Sequence, residues 1–188
     1  KSTRFGEDKA LSLINGEPLI SRIILKLQRV STGIYVVGNK EKYSFLDDLK
    51  VKDDLEVIED IVPNGGPLVG LYTGLKHSNS RYNFVMGCDM PMLTAAYFQF
   101  VINYQRNYDV LVPENKGYIE PLAGVYSKSC LNYIYRAIKD SNLKVKAFFP
   151  EVKVEIIKEE LIRKIADPAE LFYNINYKKD LQKIKDII

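Results

Sequence analysis

The chain has 188 residues, 46% of them hydrophobic and 27% charged, with a formal net charge of +3. That balance excludes a disordered chain and fits one globular domain able to bury a core. The charge is too small to call for a nucleic-acid partner, and no apolar run approaches the ~18 residues a membrane span needs.

The elements alternate along the chain. Residues 1–11 (KSTRFGEDKAL) form a basic stretch around Gly6 that reads as loop, either wrapping phosphates or simply solvated. The chain opens at Lys1, without Met, inside this loop, so a preceding segment is expected. Residues 18–30 carry Leu19, Ile20, Ile23, Ile24, Leu27 and Val30, a helical stripe with Pro18 suited to the first turn. Strands are expected at 33–38, 55–58, 82–86, 109–113 and 152–157, with an extended return at 119–126. Helices are expected at 41–49, 68–77, 94–107, 127–139, 159–166 and 178–188, with Thr94 as an N-cap. This alternation predicts an α/β fold: a single-domain three-layer sandwich with a mostly parallel, Rossmann-like sheet and helices on both faces.

Cys88 and Cys130 cannot build a disulfide framework and read as thiols of a reducing compartment, so a cytoplasmic location is expected. His77 is the only histidine. It leaves no basis for a His triad or a His-rich metal site.

Ligands of open α/β sheets collect beyond the carboxyl ends of strands. Asp89 follows the apolar strand 82–86 and either holds a metal or caps a turn. Gly65 and Gly66 precede a helix, where they let a ligand approach its N–H groups or merely make a tight turn. Asn174 and Asn176 offer neutral contacts, or cap the last helix.

Taken in order, STRFGEDKAL (2–11), ED (59–60) before GGPLVGL (65–71), CDMP (88–91), EPLAGVYS (120–127) and NINYKKDL (174–181) carry a likeness. Together they resemble the MobA-type molybdenum cofactor guanylyltransferases of the NTP-transferase superfamily. The resemblance implies one nucleotidyltransferase domain over 1–188, with a strand and a glycine-rich turn before Lys1. It implies transfer of GMP from GTP to molybdopterin phosphate, with release of pyrophosphate, in molybdopterin guanine dinucleotide biosynthesis. Carried over residue by residue, Arg4 and Lys9 would grip the triphosphate, and Gly66 would lie against the nucleotide. Asn39 and Asp60 would lie near the guanosine, and Asp89 would bind Mg²⁺. Glu120, Pro121, Asn174 and Asn176 would face the acceptor, and Lys9 with Asp89 would carry catalysis. Protein partners would be molybdoenzymes or other proteins of the cofactor pathway. One departure is that Tyr177-Lys178 stands where many relatives have Thr-Pro.

An ionised phosphate nucleophile needs no general base. The barrier is two anions approaching each other, and the remedy is charge neutralisation and alignment. Two rivals share these residues. One is a related enzyme using CTP, UTP or a sugar-phosphate acceptor. The other is a non-catalytic nucleotide-binding module.

Overall fold

The computed structural model describes residues 8–49, 55–62 and 65–184. A 3-10 helix at Lys9–Leu11 leads into a small hairpin of β1 (Leu13–Ile14) and β2 (Glu17–Pro18), then α1 (Leu19–Leu27). Strand β3 (Ile34–Val37), α2 (Lys40–Tyr43), a 3-10 turn and β4 (Leu55–Ile58) follow, with β3 and β4 paired in parallel. Next come α3 (Pro67–His77), β5 (Tyr82–Met86), α4 (Ala95–Ile102), β6 (Val110–Asn115), β7 (Tyr118–Ile119) and β8 (Ala123–Ser127). The chain continues through α5 (Leu131–Lys139), β9 (Val154–Ile157), α6 (Glu159–Ile162), α7 (Pro168–Leu171) and α8 (Lys178–Ile184).

The larger sheet runs β5–β8–β6, with β9 parallel to β6 and the short β7 folded back on it. Strand β8 lies antiparallel to both β5 and β6, so the sheet is mixed although β5, β6 and β9 share one direction. The physical reason is the connection. Between β6 and β8 there is only a hairpin and a turn, and a return without a crossover helix gives an antiparallel neighbour.

The three layers follow from period-two alternation along β6. Leu111 packs with Tyr97, Phe98 and Val101 of α4, and with Ile162 and Leu171 of α6 and α7. Its neighbours Val110 and Val112 face the other way, onto Leu68, Leu71 and Leu75 of α3 and Ile134 of α5. Helix α1 splits its stripe between two partners. Leu19 and Ile23 meet Ile175 and Ile184, whereas Ile20 and Ile24 meet Ile34, Tyr43 and Leu46. Residues at i, i+1, i+4 and i+5 make such a broad apolar face.

Some boundaries differ from the expected ones. Helix α4 starts after its Thr94 cap, whose hydroxyl accepts the Tyr97 N–H, but stops at Ile102 instead of 107. The Arg106 guanidinium donates to the Ile102 carbonyl at 3.1 Å and closes that end. The helix expected over 127–139 begins as a 3-10 turn, Lys128–Cys130, and becomes α-helical at Leu131. Pro18 is the cap residue of α1 and pairs with Leu13, so it lies just outside the first turn.

Candidate active site at the carboxyl edge of the sheet

Strand β5 delivers Gly87, Cys88 and Asp89 to the sheet's carboxyl edge. Three hydrogen bonds to its backbone fasten the loop 87–91 to three distant segments. The Gly87 N–H donates to the Leu122 carbonyl at 2.9 Å. The Ile175 N–H donates to the Asp89 carbonyl at 2.8 Å. The Lys26 ammonium, from α1, donates to the Pro91 carbonyl at 2.7 Å. Burial, then the charge of Arg22, lowers the Lys26 pKa.

Gly87 has a steric role here. A Cβ on it would sit 2.6 Å from Asp89 Oδ1, so glycine is what lets the carboxylate fold back over its own strand end. Cys88 beneath is inert as a nucleophile. Burial first, then the Asp89 and Asp8 carboxylates, push its thiol up to about 12. Cys88 and Cys130 are both free.

Lys9 Nζ stands 3.7 Å from Asp89 Oδ2 and donates to Asn176 Oδ1 at 3.3 Å. The Lys9 side chain is only 12% exposed and the Asp89 side chain 32%. Lys9 therefore belongs to a short covered helix and is not part of an open polar loop. Asp8 holds that helix in place. Its Oδ1 accepts the Ala10 N–H, and its Oδ2 accepts from Lys42 Nζ at 3.2 Å and the Tyr43 hydroxyl at 3.1 Å. A half-covered ion pair of this kind adds little to stability, typically ~0–1 kcal/mol. Its weight lies in presenting an ammonium and a carboxylate side by side.

Glu120 and Pro121, two of the residues expected on the acceptor side, sit on the turn between β7 and β8. Glu120 N–H donates to the Pro113 carbonyl, and the Glu120 carboxylate accepts from Asn115 Nδ2 at 3.4 Å. The Pro121 carbonyl takes the Tyr126 hydroxyl at 2.6 Å, and the Ala123 carbonyl takes the buried Tyr97 hydroxyl at 2.6 Å. Two tyrosines thus fix the turn 120–122 from below. Asn174 donates to the Phe172 carbonyl within its own segment, while Asn176 reaches Lys9.

Asn39 follows β3, and Asp60 and Gly66 follow β4. Asn39 caps α2 by accepting the Lys42 N–H at 2.9 Å. Asp60 Oδ1 accepts the Thr73 hydroxyl at 3.0 Å. Burial raises the Asp60 pKa, against the opposing hydrogen bonds from Thr73 and from the Ile61 and Val62 N–H groups. Gly66 sits at the N-cap of α3 with φ +78, a left-handed position that favours glycine. Arg4 lies outside the described residues.

Sequence reasoning did not single out Lys26 or Thr73, and it read Asp8 and Asp180 only inside the motifs 2–11 and 174–181, without a role. Thr73 had a readable signal. It falls four residues after buried Val69 on the core face of α3, and a polar residue there needs a partner. Among the described residues no three His, Cys, Asp or Glu side chains converge as a metal-binding cluster. The one cation paired with Asp89 among the described residues is Lys9.

The model of the MobA-like NTP transferase domain matches residues 1–153. A molybdenum cofactor guanylyltransferase from Desulfosudis oleivorans is 32% identical over 190 residues, spanning 100% of this chain and 91% of that protein. The crystal structure of molybdopterin-guanine dinucleotide biosynthesis protein A from Archaeoglobus fulgidus superposes with a TM-score of 0.81 at 25% identity. It covers 99% of this chain and 93% of that one. A 4-diphosphocytidyl-2C-methyl-D-erythritol synthase from Anaerococcus prevotii shares the fold alone, with TM-score 0.68, 13% identity, and 93% and 87% coverage. With more than half its length under the family model and a full-length relative above 30% identity, the chain belongs to the MobA-like NTP transferase family.

Proposed function

We propose that this protein is a molybdenum cofactor guanylyltransferase, moving GMP from GTP to the terminal phosphate of molybdopterin and releasing pyrophosphate. The observation that carries the reading is the convergence of Asp89 and Asn176 on Lys9 at the sheet's carboxyl edge, 3.7 Å and 3.3 Å from its ammonium. The name and near-full coverage of the Desulfosudis relative support the choice of reaction.

In this reading Lys9 binds triphosphate oxygens, with Asn176 holding its ammonium in place, and Arg4 adds a second cation. Asn39 and Asp60 face the guanosine. Gly66 lets the phosphates approach the first N–H groups of α3, where helix geometry favours an anion. Glu120, Pro121 and Asn174 border the acceptor. The acceptor phosphate is already ionised at neutral pH, so no side chain needs to remove a proton. The chain's part is alignment and charge compensation.

The donor set at Asp89 fits Mg²⁺, an ion that takes one or two carboxylates plus phosphate oxygens and water, not an all-protein cage. Asp89 would hold it, and the ion when bound would supply positive charge that offsets the repulsion of the approaching phosphates. Domain assignment, location and protein partners follow the same reading. The chain is one nucleotidyltransferase domain. The enzyme works in the cytoplasm, beside molybdoenzymes or proteins of the cofactor pathway. Among the described residues no helix is long and apolar enough to cross a membrane.

The test is pyrophosphate release from GTP, CTP and UTP, each with and without molybdopterin. Release from GTP that depends on molybdopterin is expected. Preference for CTP or UTP points to the related enzyme, and tight GTP binding without release under any condition points to the binding module.

A further inference from the structure

Asp180 lies three residues into α8 and is only 6% exposed. Its Oδ2 accepts two consecutive backbone N–H groups, from Asn176 at 2.9 Å and Tyr177 at 2.8 Å. Its Oδ1 accepts the Tyr173 hydroxyl at 3.1 Å. The carboxylate thus closes both ends of the segment 173–177. Between them Ile175 is fully buried against Ile14, Leu19 and Ile23, and its N–H holds the Asp89 carbonyl. Within this clasp the Asn176 side chain points to Lys9 Nζ, the same ammonium that faces Asp89.

We infer that Asp180 is a positioning residue for nucleotidyl transfer: by clasping the backbone of Asn176 and Tyr177 it sets where Asn176 holds the Lys9 ammonium beside Asp89. The inference rests on the function proposed above. The clasp needs no side chain from Tyr177, only its N–H, so the Tyr177-Lys178 departure from the relatives' Thr-Pro leaves the arrangement complete. Helix capping alone accounts for the Tyr177 bond, since a side chain at the third helical position commonly returns to the cap residue's N–H. It does not account for the Asn176 N–H or the Tyr173 hydroxyl.

The experiment is a double-mutant cycle between Asp180→Ala and Asn176→Ala. It is read as kcat/KM for GTP at a temperature where melting curves show every variant folded. A group that acts through another loses its effect once that other is gone. Each single variant is expected to lose about tenfold, with the double variant no worse than Asn176→Ala within about twofold. Asp180→Asn keeps one carbonyl oxygen for the two N–H groups and is expected to stay within about threefold of the parent. If Asp180→Ala fails to fold, Tyr173→Phe takes its place in the cycle, because it removes only the hydroxyl bonded to Oδ1. Multiplicative losses near ~100-fold, or kcat/KM unchanged in Asp180→Ala despite a lower melting temperature, overturn the inference. A parent that releases no pyrophosphate overturns the functional reading instead. The same cycle is then read in GTP affinity by calorimetry, and a parent that binds no GTP overturns both.

Discussion

Asp60 and Asp89 each follow an apolar strand at the carboxyl edge, yet the fold treats them differently. Asp89 faces an ammonium 3.7 Å away, and its loop is tied to α1, to the turn 120–122 and to the segment 173–177. Asp60 leans instead on the hydroxyl of Thr73, 13 positions away, with burial raising its pKa. A strand end is therefore a place where chemistry can sit, but the neighbours decide what kind. At Asp89 the surroundings favour a carboxylate that works by charge. At Asp60 they favour one that works by hydrogen bonding.

Charge-removing substitutions test this contrast, and Asp89→Asn should have the largest effect. Asn keeps the shape and the backbone bonds of loop 87–91 but removes the charge. Losing a main electrostatic contact in a preorganised site typically costs ~3–4 kcal/mol, so guanylyl transfer should fall by roughly two to three decades. The melting temperature should hold. Activity within about threefold of the parent at saturating Mg²⁺, a barrier change under ~0.7 kcal/mol, would reduce Asp89 to a turn residue.

Asp60→Asn should be milder and should leave its mark on pH dependence. If Asp60 accepts hydrogen bonds from guanosine, GTP affinity should drop roughly tenfold to a hundredfold, as for bonds to a charged acceptor. The sign on stability is opposite. A folded pKa raised above the unfolded value means a contribution to stability fully present below about 3.9 and lost as pH rises through the folded pKa. The substituted amide does not titrate, so the variant should match or exceed the parent's melting temperature at pH 7 and fall below it in acid. Urea melts across that range give the measurement, and parallel curves for the two proteins would show that Asp60 is not held in a desolvating site.

The same contrast explains what could be read from the sequence. Thr94 as a cap, the strands 55–58 and 82–86, and the helix after Gly66 were legible because each is a local pattern of period or punctuation. Lys9, Asp89 and Asn176 each had two local readings, and only the ordered set of motifs chose between them. Nothing local to any of them says that 167 positions separate two hydrogen-bonded side chains. The hairpin Leu13–Pro18 went unread because two-residue strands carry no period, although Asn15-Gly16 is a hairpin signal. Helix α4 was overextended because Tyr104 prolongs the aromatic pattern of Tyr97 and Phe100. Past the helix end Tyr104 instead meets Phe100 edge to face and Tyr108 at a tilt, and Tyr108 meets Tyr82 edge to face. Lys26 was missed for a physical reason of its own: it looks like an ordinary charge on an amphipathic helix until the fold brings the Pro91 carbonyl, 65 positions away, to it. Asp180 stood in the motif 174–181, but its bonds to the N–H groups just before it gave it no role there.

The smallest expected effect is at Asn39, where one side chain has two separable duties. Its Oδ1 accepts the Lys42 N–H and caps α2. Its Nδ2 is the only donor the side chain can offer to a nucleotide. Alanine would remove both and decide nothing. Asn39→Asp keeps the cap, because aspartate caps about as well as asparagine and its charge suits a helix N-terminus. It replaces the donor with an acceptor. If Asn39 serves only α2, the melting temperature should stay or rise and GTP affinity should not move. If Nδ2 donates to the guanosine side, affinity should fall by roughly threefold to tenfold, the worth of one neutral hydrogen bond, with the fold intact. The second outcome is the one expected. Asn39 lies at the carboxyl end of β3, beside the parallel β4 that leads to Asp60, and that is the edge where an α/β sheet receives its ligand. Calorimetry with GTP on the parent and on this variant, paired with thermal melts, separates the two duties in one comparison. An unchanged affinity would leave Asp60 and Gly66 as the residues after β4 that still need a test against the nucleotide.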